Sequence, residues 1–497
     1  DEQVLSSVNG FPKAIAFHEQ RLFFGGVTNL PDLIAGSKVG EFYNFDTGKA
    51  NDADSVQIQI ASDEINEIRH LISGKVLEVL TNTAEFFLKP QVSKPITPVD
   101  IQIIRQSSLG CQQKAKARGI DGATIFVQTN GKTVREYTYN SSTEEFVSAP
   151  ISLTSSHLID TPIDADRIKS QAGRDEQAYF LVNTDGTLAV YYTQKIQELS
   201  GWSLWETSGT IQSIACTTDF IYIAVKRTVN SSTVYYLEQI ASTSFDIPTD
   251  MTVTKTLSGS YQPHGSPLTN GTTSSSTNVI VNGMTSAPQI GETFTFAGNA
   301  TVYTVNAVSA TSNSNEYSIT VNAAKSTAND VALTFLTSRT WSGLNSTPDM
   351  RGLTVHGTSG STEGGNINYY GDGTVTSGGV VVLDSPTSTI DIGLDYTVTI
   401  KTLPANAQVA NSGALTGKPR KIAKAILELS SCYNLKVNTM DVLINNISNL
   451  DTSATLTSFT GKKGVHFLGY SSEPTIEITQ SAPLPLRLLG ITTEIYY

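Results

Sequence analysis

Charged residues, long apolar runs and cysteine are all scarce in this sequence of 497 residues. Charged side chains make up 16 % of the chain, against about 25 % in ordinary soluble domains. No stretch approaches the ~18 apolar residues of a membrane-spanning helix, and Asp1-Glu2-Gln3 does not resemble a signal peptide. Ser, Thr, Asn and Gly fill the shortfall, as is typical of short strands and turns. We expect a soluble chain of several β-rich domains. Since it does not start with Met, we expect either a processed product or the ordered part of a longer polypeptide.

Motifs of metal and cofactor chemistry are missing too. Cys111, Cys216 and Cys432 lie far apart, without a CxxC pair, and none of the 6 histidines lies at ligand spacing from another. HExxH, GxSxG, GxxxxGK[ST] and a GxGxxG after a strand do not occur. The sequence therefore predicts no catalytic residue, no cofactor and no metal site. A net charge of -12 argues against tight binding to nucleic acid.

Two segments in the first half of the chain match each other without gaps. They are ATIFVQTNGKTVREYT at 123–138 and AYFLVNTDGTLAVYYT at 178–193. Asn130-Gly131 and Asp185-Gly186 fall at the same place in both. Each pair favours a two-residue hairpin turn, because that turn needs positive φ at both central positions. Each segment is therefore predicted to be a β-hairpin.

Two looser copies extend this repeat. They are KVLEVLTNTAEFFL at 75–88 and IYIAVKRTVNSSTVYYLEQI at 221–240, the second with a longer loop through Asn230-Ser231-Ser232. Hairpins that recur every ~40 to 55 residues are typical of propeller blades. We therefore assign 1–255 to a propeller-like β domain. The central residues of the four copies are Leu80, Val127, Val182 and Val225.

The segment behind Ser62-Asp63-Glu64 permits two interpretations. Apolar residues at helical spacing follow this plausible N-cap. A short helix between blades and a strand with an irregular entry are both open.

The composition changes abruptly at 256–338, where the charged residues are Glu292, Glu316, Lys325 and Asp330. Alternating apolar runs separated by Gly and Asn predict an inserted small β-sandwich or barrel. The stretch 258–278 is predicted to be a flexible linker into this module. The remainder, 339–497, is predicted to be a β-rich domain that completes the core, with a hairpin turn at Gly371-Asp372-Gly373.

Acidic and basic groups offer candidate sites, each with a simpler alternative. A propeller hydrolase could use paired carboxylates, although aspartates also commonly start turns. Basic clusters could touch DNA phosphates, but they lack interleaved aromatic residues, and a solvated face or a subunit contact is the alternative. The acidic candidates are Asp52, Asp54, Asp160, Asp164 and Asp166, and the basic clusters are Lys114-Ala115-Lys116-Ala117-Arg118 and Lys418-Pro419-Arg420-Lys421 with Lys424.

The segment FPKAIAFHEQRLFFGGVTNLPDLIAGSKVGEFYNFD at 11–46 resembles a known family. It matches a FPxAvxFxxxRLxFgG block and then a S-x-x-G-x-f-x-n-F block, here Ser37 through Phe45. Both blocks are features of the tail nozzle, or tail tubular protein B, of short-tailed bacteriophages. DYTVTIKTLP, GKPRKIAKAILEL and APLPLRLLGITTEIYY resemble the C-terminal third of that family. The resemblance covers roughly 1–250 and 340–497, and the inserted module departs from it.

The resemblance implies a structural virion protein, assembled in the bacterial cytoplasm and located in the phage tail. It implies a homohexameric ring with a propeller-like domain, attached to a tail adaptor ring and to fibres, that contacts the host cell surface. Genomic double-stranded DNA would pass through its lumen without tight binding. An acidic or uncharged lumen suits that passage, because it repels phosphate. The insert is expected to project outward.

Two functions from other classes remain open. A propeller-type glycan hydrolase would need a pair of carboxylates facing one pocket, about 5 to 9 Å apart. A glycan-binding adhesin would show exposed aromatic residues on one face, and the tryptophans available are Trp202, Trp205 and Trp341.

Overall fold

The protein is built from β-strands and turns. The computed structural model describes residues 4–90, 95–143, 145–170, 177–240, 250–258, 260–360, 367–404, 408–409, 413–414, 419–442, 444, 458–482 and 484–496. These residues form 39 strands, two single-turn 3-10 helices (Ser156–Leu158 and Lys195–Gln197) and no α-helix. No helix in these ranges is long and apolar enough to cross a bilayer. The prediction of an all-β fold is confirmed.

The chain divides into two compact units. The first comprises Asp1–Arg227 and Tyr235–Ser244, and the second Thr228–Val234 and Phe245–Tyr497. The domain limits expected from composition, at 255 and 338, stay predictions.

Five antiparallel sheets follow one another along residues 14–240. Sheet 1 contains β1 (Ala14–His18), β2 (Arg21–Val27), β3 (Leu30–Gly36) and β4 (Val56–Gln59). Sheet 2 contains β5 (Ile68–Ser73), β6 (Leu77–Thr81), β7 (Glu85–Lys89) and β8 (Gln102–Ser107). Sheet 3 contains β9 (Arg118–Ile120), β10 (Ala123–Val127), β11 (Val134–Asn140) and β12 (Glu145–Pro150). Sheet 4 contains β13 (Asp164–Ile168), β14 (Gln177–Val182), β15 (Leu188–Gln194) and β16 (Leu199–Trp205). Sheet 5 contains β17 (Thr210–Cys216), β18 (Ile221–Val229) and β19 (Ser232–Ile240).

The predicted repeat corresponds to the second strand of each sheet. Leu80, Val127, Val182 and Val225 lie in β6, β10, β14 and β18, and all four are fully buried. The repeat therefore marks one structural position, and the propeller-like fold is confirmed.

Successive sheets share hydrophobic cores, because the central strands are apolar on both faces. One core joins sheets 1 and 2, another joins sheets 2 and 3, and a third joins sheets 3 and 4. Each sheet is therefore stabilised by its neighbours. Representative pairs from the three cores are Phe23 with Val79, Phe87 with Phe126, and Ile125 with Tyr179.

The predicted hairpins are present, but the predicted two-residue turns are wrong for the two matched segments. Gly131 and Gly186 have positive φ, whereas Asn130 and Asp185 do not. In the second hairpin, the amide of Asn183 donates to the Thr187 carbonyl at 2.9 Å, which leaves a three-residue loop. Such loops combine a type I turn with a left-handed glycine. Oδ1 of Asp185 accepts a hydrogen bond from the amide of Thr187 and so stabilises this longer form.

The fourth hairpin has the tight turn instead. Asn230 and Ser231 both have positive φ, at 47° and 63°, and they form the two-residue connection between β18 and β19. The longer loop predicted there through Ser232 is therefore wrong.

The segment after Ser62 is a turn followed by a strand. The Oγ of Ser62 accepts hydrogen bonds from the amide of Glu64 and the side chain of Asn66. This local bonding competes with a helical turn. β5 then begins at Ile68. The helix is wrong, and the irregular entry into a strand is confirmed.

The second unit is also made of β-strands. Its strands are β20 (Asp250–Thr256), β21 (Gly265–Thr269), β22 (Thr273–Met284), β23 (Thr293–Phe296), β24 (Tyr303–Ala310), β25 (Tyr317–Thr327), β26 (Leu333–Trp341), β27 (Thr354–Ser359), β28 (Asn368–Thr374), β29 (Val381–Thr387), β30 (Thr389–Leu394), β31 (Val398–Lys401), β32 (Gln408–Val409), β33 (Gly413–Ala414), β34 (Lys421–Cys432), β35 (Lys436–Val437), β36 (Met440–Asp441), β37 (Phe459–His466), β38 (Glu477–Gln480) and β39 (Arg487–Tyr496). These strands form five sheets, with the strand orders β21-β22-β25-β24-β23-β26-β29, β20-β30-β27-β28, β31-β38-β35-β36, β37-β34-β39 and β32-β33.

The inserted module is a curled sheet around its own core. β22 to β26 contribute this core, which includes Phe294 and Phe335. The amide of Thr269 donates to the carbonyl of Val331 at 2.9 Å, so that the first strand meets the chain just before the last one. Of the two forms left open by the sequence, this is the barrel-like one. The flexible linker predicted at 258–278 is wrong, because β21 and much of β22 lie there as paired strands.

The predicted hairpin turn at Gly371-Asp372-Gly373 is also wrong. These residues lie inside β28, with Asp372 opposite His356 in β27. The register shifts nearby, and Gly371 has a φ of 94°. A Cβ at Gly371 would collide with the side chain of Asp384. The glycine therefore marks a bulge with a close approach rather than a turn.

Candidate functional site

The acidic and basic candidates of the first unit bind one another. Lys116 Nζ lies 3.1 Å from Asp164 Oδ1, and Arg118 Nε lies 2.8 Å from Asp166 Oδ1. Arg118 belongs to β9 in sheet 3, and both aspartates belong to β13 in sheet 4. These pairs therefore join two sheets at their first strands, and two of the three cations of the basic cluster are paired within the chain. The third aspartate, Asp160, binds Lys132 Nζ at 2.6 Å.

The same two aspartates also bind sheet 5. Oδ2 of Asp164 accepts hydrogen bonds from Ser213 Oγ at 2.7 Å and from the amide of Ile214 at 3.1 Å. Oδ2 of Asp166 accepts one from the amide of Cys216 at 2.9 Å. Burial, the largest effect, raises the pKa of Asp164, but these donors and Lys116 outweigh it and hold the pKa below its usual value. Both carboxylates have a structural role, because donors occupy both oxygens of each.

The candidate pair Asp52 and Asp54 also has a structural role. Oδ2 of Asp54 accepts hydrogen bonds from the amides of Asn51 at 2.9 Å and Lys49 at 3.1 Å. These bonds, that of Asn51 first, hold the pKa of Asp54 below its usual value. Asp52 uses its backbone carbonyl, which accepts a hydrogen bond from Arg21 at 2.6 Å.

Arg21 organises the segment that resembles the nozzle family. Its side chain is 1 % exposed, and its guanidinium donates to the carbonyls of Ser37 at 2.7 Å, Asp54 at 2.6 Å and Asp52. Ser37 Oγ in turn accepts a hydrogen bond from the amide of Leu22 at 3.0 Å. The loop at 37–55 is thereby fixed to β2. The arginine and the serine of the matched blocks therefore stabilise the local fold.

Two glycines of the same segment provide space for close packing. At Gly36 a Cβ would lie 2.6 Å from the ring of Phe23, and Gly26 has a φ of 72° with the backbone of Ile68 against it. A side chain at either position would displace the strand from its neighbour. Gly26, a glycine of the first matched block, thus belongs to the junction between sheets 1 and 2. Gly36 lies outside the matched blocks and packs within sheet 1.

The second basic cluster is only partly described, because Lys418 lies outside the described residues. Arg420 is 2 % exposed and donates to the carbonyl of Ser472 at 2.6 Å. Lys421 and Lys424 lie in β34. Arg420 therefore stabilises the fold and is not part of an exposed DNA-binding patch.

The three tryptophans are packed within the fold. Trp341 is fully buried. Trp202 packs on Tyr191 and donates from Nε1 to the carbonyl of Ile151 at 3.0 Å. Trp205 packs against Phe180. They therefore do not form the exposed aromatic face of an adhesin.

A buried Ser-His-Glu group in the second unit was missed by the sequence reasoning. His264 Nε2 lies 2.8 Å from Glu292 Oε2, and Ser338 Oγ donates to Glu292 Oε1 at 3.0 Å. All three residues are fully buried. In a catalytic triad, an acid binds Nδ1 of the histidine. Here Nδ1 of His264 lies against Ser286 Oγ instead, so the group does not have the arrangement of a triad. The group joins the two ends of the inserted module.

A second polar group missed from the sequence lies between sheets 2 and 3. Glu78 and Glu85 are 5 % and 0 % exposed, and burial raises the pKa of both, that of Glu78 to about 7. The hydroxyl of Tyr137 lies in the same core, and burial raises its pKa as well. In the sequence, Glu78 could have been recognised as an acidic residue inside the apolar run KVLEVL at 75–80.

A shallow groove of about 400 Å³ crosses one sheet of the second unit. It contains one carboxylate, Glu477, and therefore lacks the acid pair of a glycosidase. Across the described ranges, no three His, Cys, Asp or Glu side chains are placed to hold a metal ion. The residues that line the groove are Lys436, Asn438, Thr439, Thr475, Glu477 and Thr479.

Comparisons with known proteins add little. No protein-family profile and no curated protein match this chain. Among solved structures, it is similar to a luciferin-regenerating enzyme at 11 % identity and a TM-score of 0.19, over 43 % of this chain and 83 % of that one. It is also similar to the computationally designed Ika8 protein at 8 % identity and a TM-score of 0.22, over 66 % of this chain and 96 % of that one. Scores this low support no conclusion about function.

Proposed function

We propose that this chain is a structural subunit of the tail nozzle of a short-tailed bacteriophage. Six copies would form a ring below the tail adaptor, carry fibres that contact the host surface, and guide genomic double-stranded DNA through the lumen. The observation that carries the proposal is the segment at 11–46. Its residues resemble the nozzle family, and Arg21 and Ser37 within it build the first sheet and its loop.

The charges of the first unit are compatible with DNA passage. Lys116, Arg118 and Lys132 are each paired with an aspartate, and the whole chain has a net charge of -12. Tight binding to DNA requires cations that can displace counterions from phosphate. Paired cations on an acidic chain offer few such contacts, so DNA would slide. The proposed lumen is lined mainly by Asp, Glu and uncharged polar residues.

The hydrolase alternative has less support. Its best candidates, Asp164 and Asp166, are held by donors from two neighbouring sheets. A general acid needs a proton at neutral pH, whereas the pKa of Asp164 is lowered.

Native mass spectrometry and negative-stain microscopy of the purified chain test the proposal. We expect a ring of six copies with a central hole, and only weak, salt-sensitive binding of the ring to double-stranded DNA. A monomer that cleaves capsule or cell-wall glycan would contradict the proposal and favour the hydrolase. A ring that binds DNA tightly at physiological salt would contradict passage without binding.

A further inference from the structure

One sheet of the second unit has an apolar face and an acidic face. In the sheet of β20, β30, β27 and β28, Val355, Ile390 and Ile392 belong to a hydrophobic core. His356 follows Val355 in β27 and therefore points to the other face, where the register places it opposite Asp372 of β28. Four carboxylates lie on or against this second face, which we call the acidic face. They are Asp372, Asp384, Asp391 and Asp395.

The acidic face carries negative charge that no basic residue neutralises within the described ranges. None of its four carboxylates forms an ion pair with a lysine or an arginine there. Three of them converge on Tyr369 of β28. Burial first, and then the charges of Asp372, Asp395 and Asp384, raise the pKa of this tyrosine to about 12. Such a concentration of negative charge attracts a cation.

His356 lies within this group and has one nitrogen without a hydrogen bond. The residue is 5 % exposed, and its Nδ1 lies 3.0 Å from the hydroxyl of Tyr369. Its Nε2 is buried and lies 3.2 Å from Oδ2 of Asp395, but the two atoms do not form a hydrogen bond. Buried polar atoms without a hydrogen-bond partner are rare, and a bound ion or water is a common reason for them.

The separation of His356 Nε2 and Asp395 Oδ2 fits two ligands of one metal ion. Histidine nitrogens and carboxylate oxygens lie about 2.0 to 2.2 Å from Zn²⁺. Two such atoms on one ion are about 2.9 to 3.5 Å apart in octahedral or tetrahedral coordination. The observed 3.2 Å lies within that range. A shared cation would also remove the repulsion between the carboxylate and the free electron pair of the nitrogen.

Tyr369 suits the role of a partner that orients the histidine. A nitrogen that binds a metal ion carries no proton, so the ring proton must be on Nδ1. The hydroxyl oxygen of Tyr369 can accept a hydrogen bond from Nδ1 at 3.0 Å. Metal-binding histidines almost always donate their second nitrogen in this way, which fixes the tautomer and the orientation of the ring.

We propose that Nε2 of His356 and Oδ2 of Asp395 bind one divalent transition-metal ion, such as Zn²⁺, on the acidic face. Two protein ligands are thus in place. A third would come from Asp372, because opposite residues of paired strands are about 5 Å apart at Cβ and a rotation of its side chain brings the carboxylate to the ion. Water completes the coordination from the side of Asp395, whose side chain is 38 % exposed.

The donor set selects the class of ion. Imidazole nitrogen suits Zn²⁺ and its first-row neighbours, whereas Ca²⁺ and Mg²⁺ prefer oxygen ligands alone. One histidine, two carboxylates and water resemble the open zinc sites that have three protein ligands. We therefore expect Zn²⁺ to bind more tightly than Ca²⁺.

Calorimetric titration of the full, chelator-treated chain with Zn²⁺ tests this site, on protein without a histidine tag. Asp395→Asn and His356→Gln remove the two ligands, and Tyr369→Phe removes the acceptor for Nδ1. His466→Gln is the matched control, because His466 is exposed and lies in another sheet. Circular dichroism checks the fold of each variant. Asp395→Asn changes an exposed residue and decides the test if His356→Gln fails to fold.

We expect one Zn²⁺ to bind per chain in the wild type and in the control. The affinity should fall by at least about 100-fold in Asp395→Asn and in His356→Gln, and about tenfold in Tyr369→Phe, which acts through the histidine. The visible absorption of Co²⁺ bound in place of Zn²⁺ should also change in Tyr369→Phe. A tyrosine that only stabilised the fold would leave that spectrum as it is.

Three results would overturn the proposal. The first is a wild-type chain that binds no Zn²⁺. The second is an unchanged affinity in either ligand variant, which would place the ion elsewhere. The third is tighter binding of Ca²⁺ than of Zn²⁺ that needs the aspartates but not His356, which would reveal a site of oxygen ligands alone. The proposed ring is tested separately by its native mass, so neither proposal depends on the other.

Discussion

Glu78 should make the stability of the first unit depend on pH around neutrality. It lies in the middle of β6, a strand in which all residues are buried, and it is 5 % exposed. Thr124 donates one hydrogen bond to its carboxyl group, while Oε2 has no partner in the described structure. Burial disfavours the charged form and raises the pKa of Glu78 from 4.5 to about 7.

The sign and size of the effect follow from proton linkage. The folded protein keeps the Glu78 proton up to about pH 7, whereas the unfolded chain loses it near the model value of 4.5. The contribution of Glu78 to stability is therefore complete below the unfolded pKa and is lost as the pH rises through the folded one. A difference of this size corresponds to about 3 kcal/mol, of which about 2.5 kcal/mol falls between pH 5 and pH 8.

Glu78→Gln removes the titration and keeps the shape of the side chain. Denaturant unfolding is measured at pH 5 and pH 8 with Trp341→Phe in every sample, so that the fluorescence of Trp202 and Trp205 reports on the first unit. We expect the free energy of unfolding of the wild type to fall by about 2.5 kcal/mol more than that of the variant. Glu64→Gln is the control, because Glu64 is exposed and the charge change is the same. Parallel pH profiles of wild type and Glu78→Gln would refute the reasoning.

Three further predictions concern the anchored loop, the inter-sheet pairs and the insert. Arg21→Lys cannot reach all three carbonyls, so the free energy of unfolding should fall by about 3 kcal/mol, measured with denaturant. Asp164→Asn should destabilise the chain by about 2 kcal/mol at pH 7 and by less at pH 3, because a group with a lowered pKa loses its contribution as the pH falls below its unfolded value and through its folded one. Replacing 262–337 with a short linker should leave the ring mass unchanged except for the deleted residues. Tyr261 and Ser342 are hydrogen-bonded to each other at 3.0 Å and bring the two ends together. Loss of assembly would show that the insert is an inter-subunit element.

The propeller-like repeat could be predicted because its signal is local and periodic. In sheets 2, 3 and 4 the second strand is buried on both faces, as Val127 and Val182 are, whereas β18 of sheet 5 alternates between buried and more exposed residues. Such runs occur at one position in each sheet, so their spacing gives the number of residues per blade. Turn chemistry was less informative, since Asn-Gly and Asp-Gly suit both a two-residue turn and a longer loop with a left-handed glycine.

The errors in the second unit have a common cause. Gly371 and the Ser/Thr-rich stretch at 258–278 have the composition of turns and linkers. In the structure both lie in paired strands because of contacts with distant residues. Gly371 leaves space for the side chain of Asp384, and the amide of Thr269 donates to the carbonyl of Val331. Tertiary contacts over such distances override local preference.

Functional candidates were the least predictable from sequence. Asp164 and Asp166 could have been acids of a hydrolase, a use that requires a raised pKa for one of them. Their actual partners, Lys116 and Arg118, lie 48 residues away in the sequence, and only the stacking of sheet 3 on sheet 4 brings them together. His264 and Glu292 are also distant in the sequence, 28 residues apart, and only the fold of the inserted module brings them together.

The placement of charge in the first unit bears on the proposed passage of DNA. Lys116, Arg118 and Arg227 each bind an acid of the same chain, and the pairs of Lys116 and Arg118 join sheet 3 to sheet 4. A cation that already binds a carboxylate gains less from a DNA phosphate than an unpaired cation does, so it contributes less to counterion release. If the proposed ring is correct, its contact with DNA is therefore weak and should be lost as the ionic strength rises.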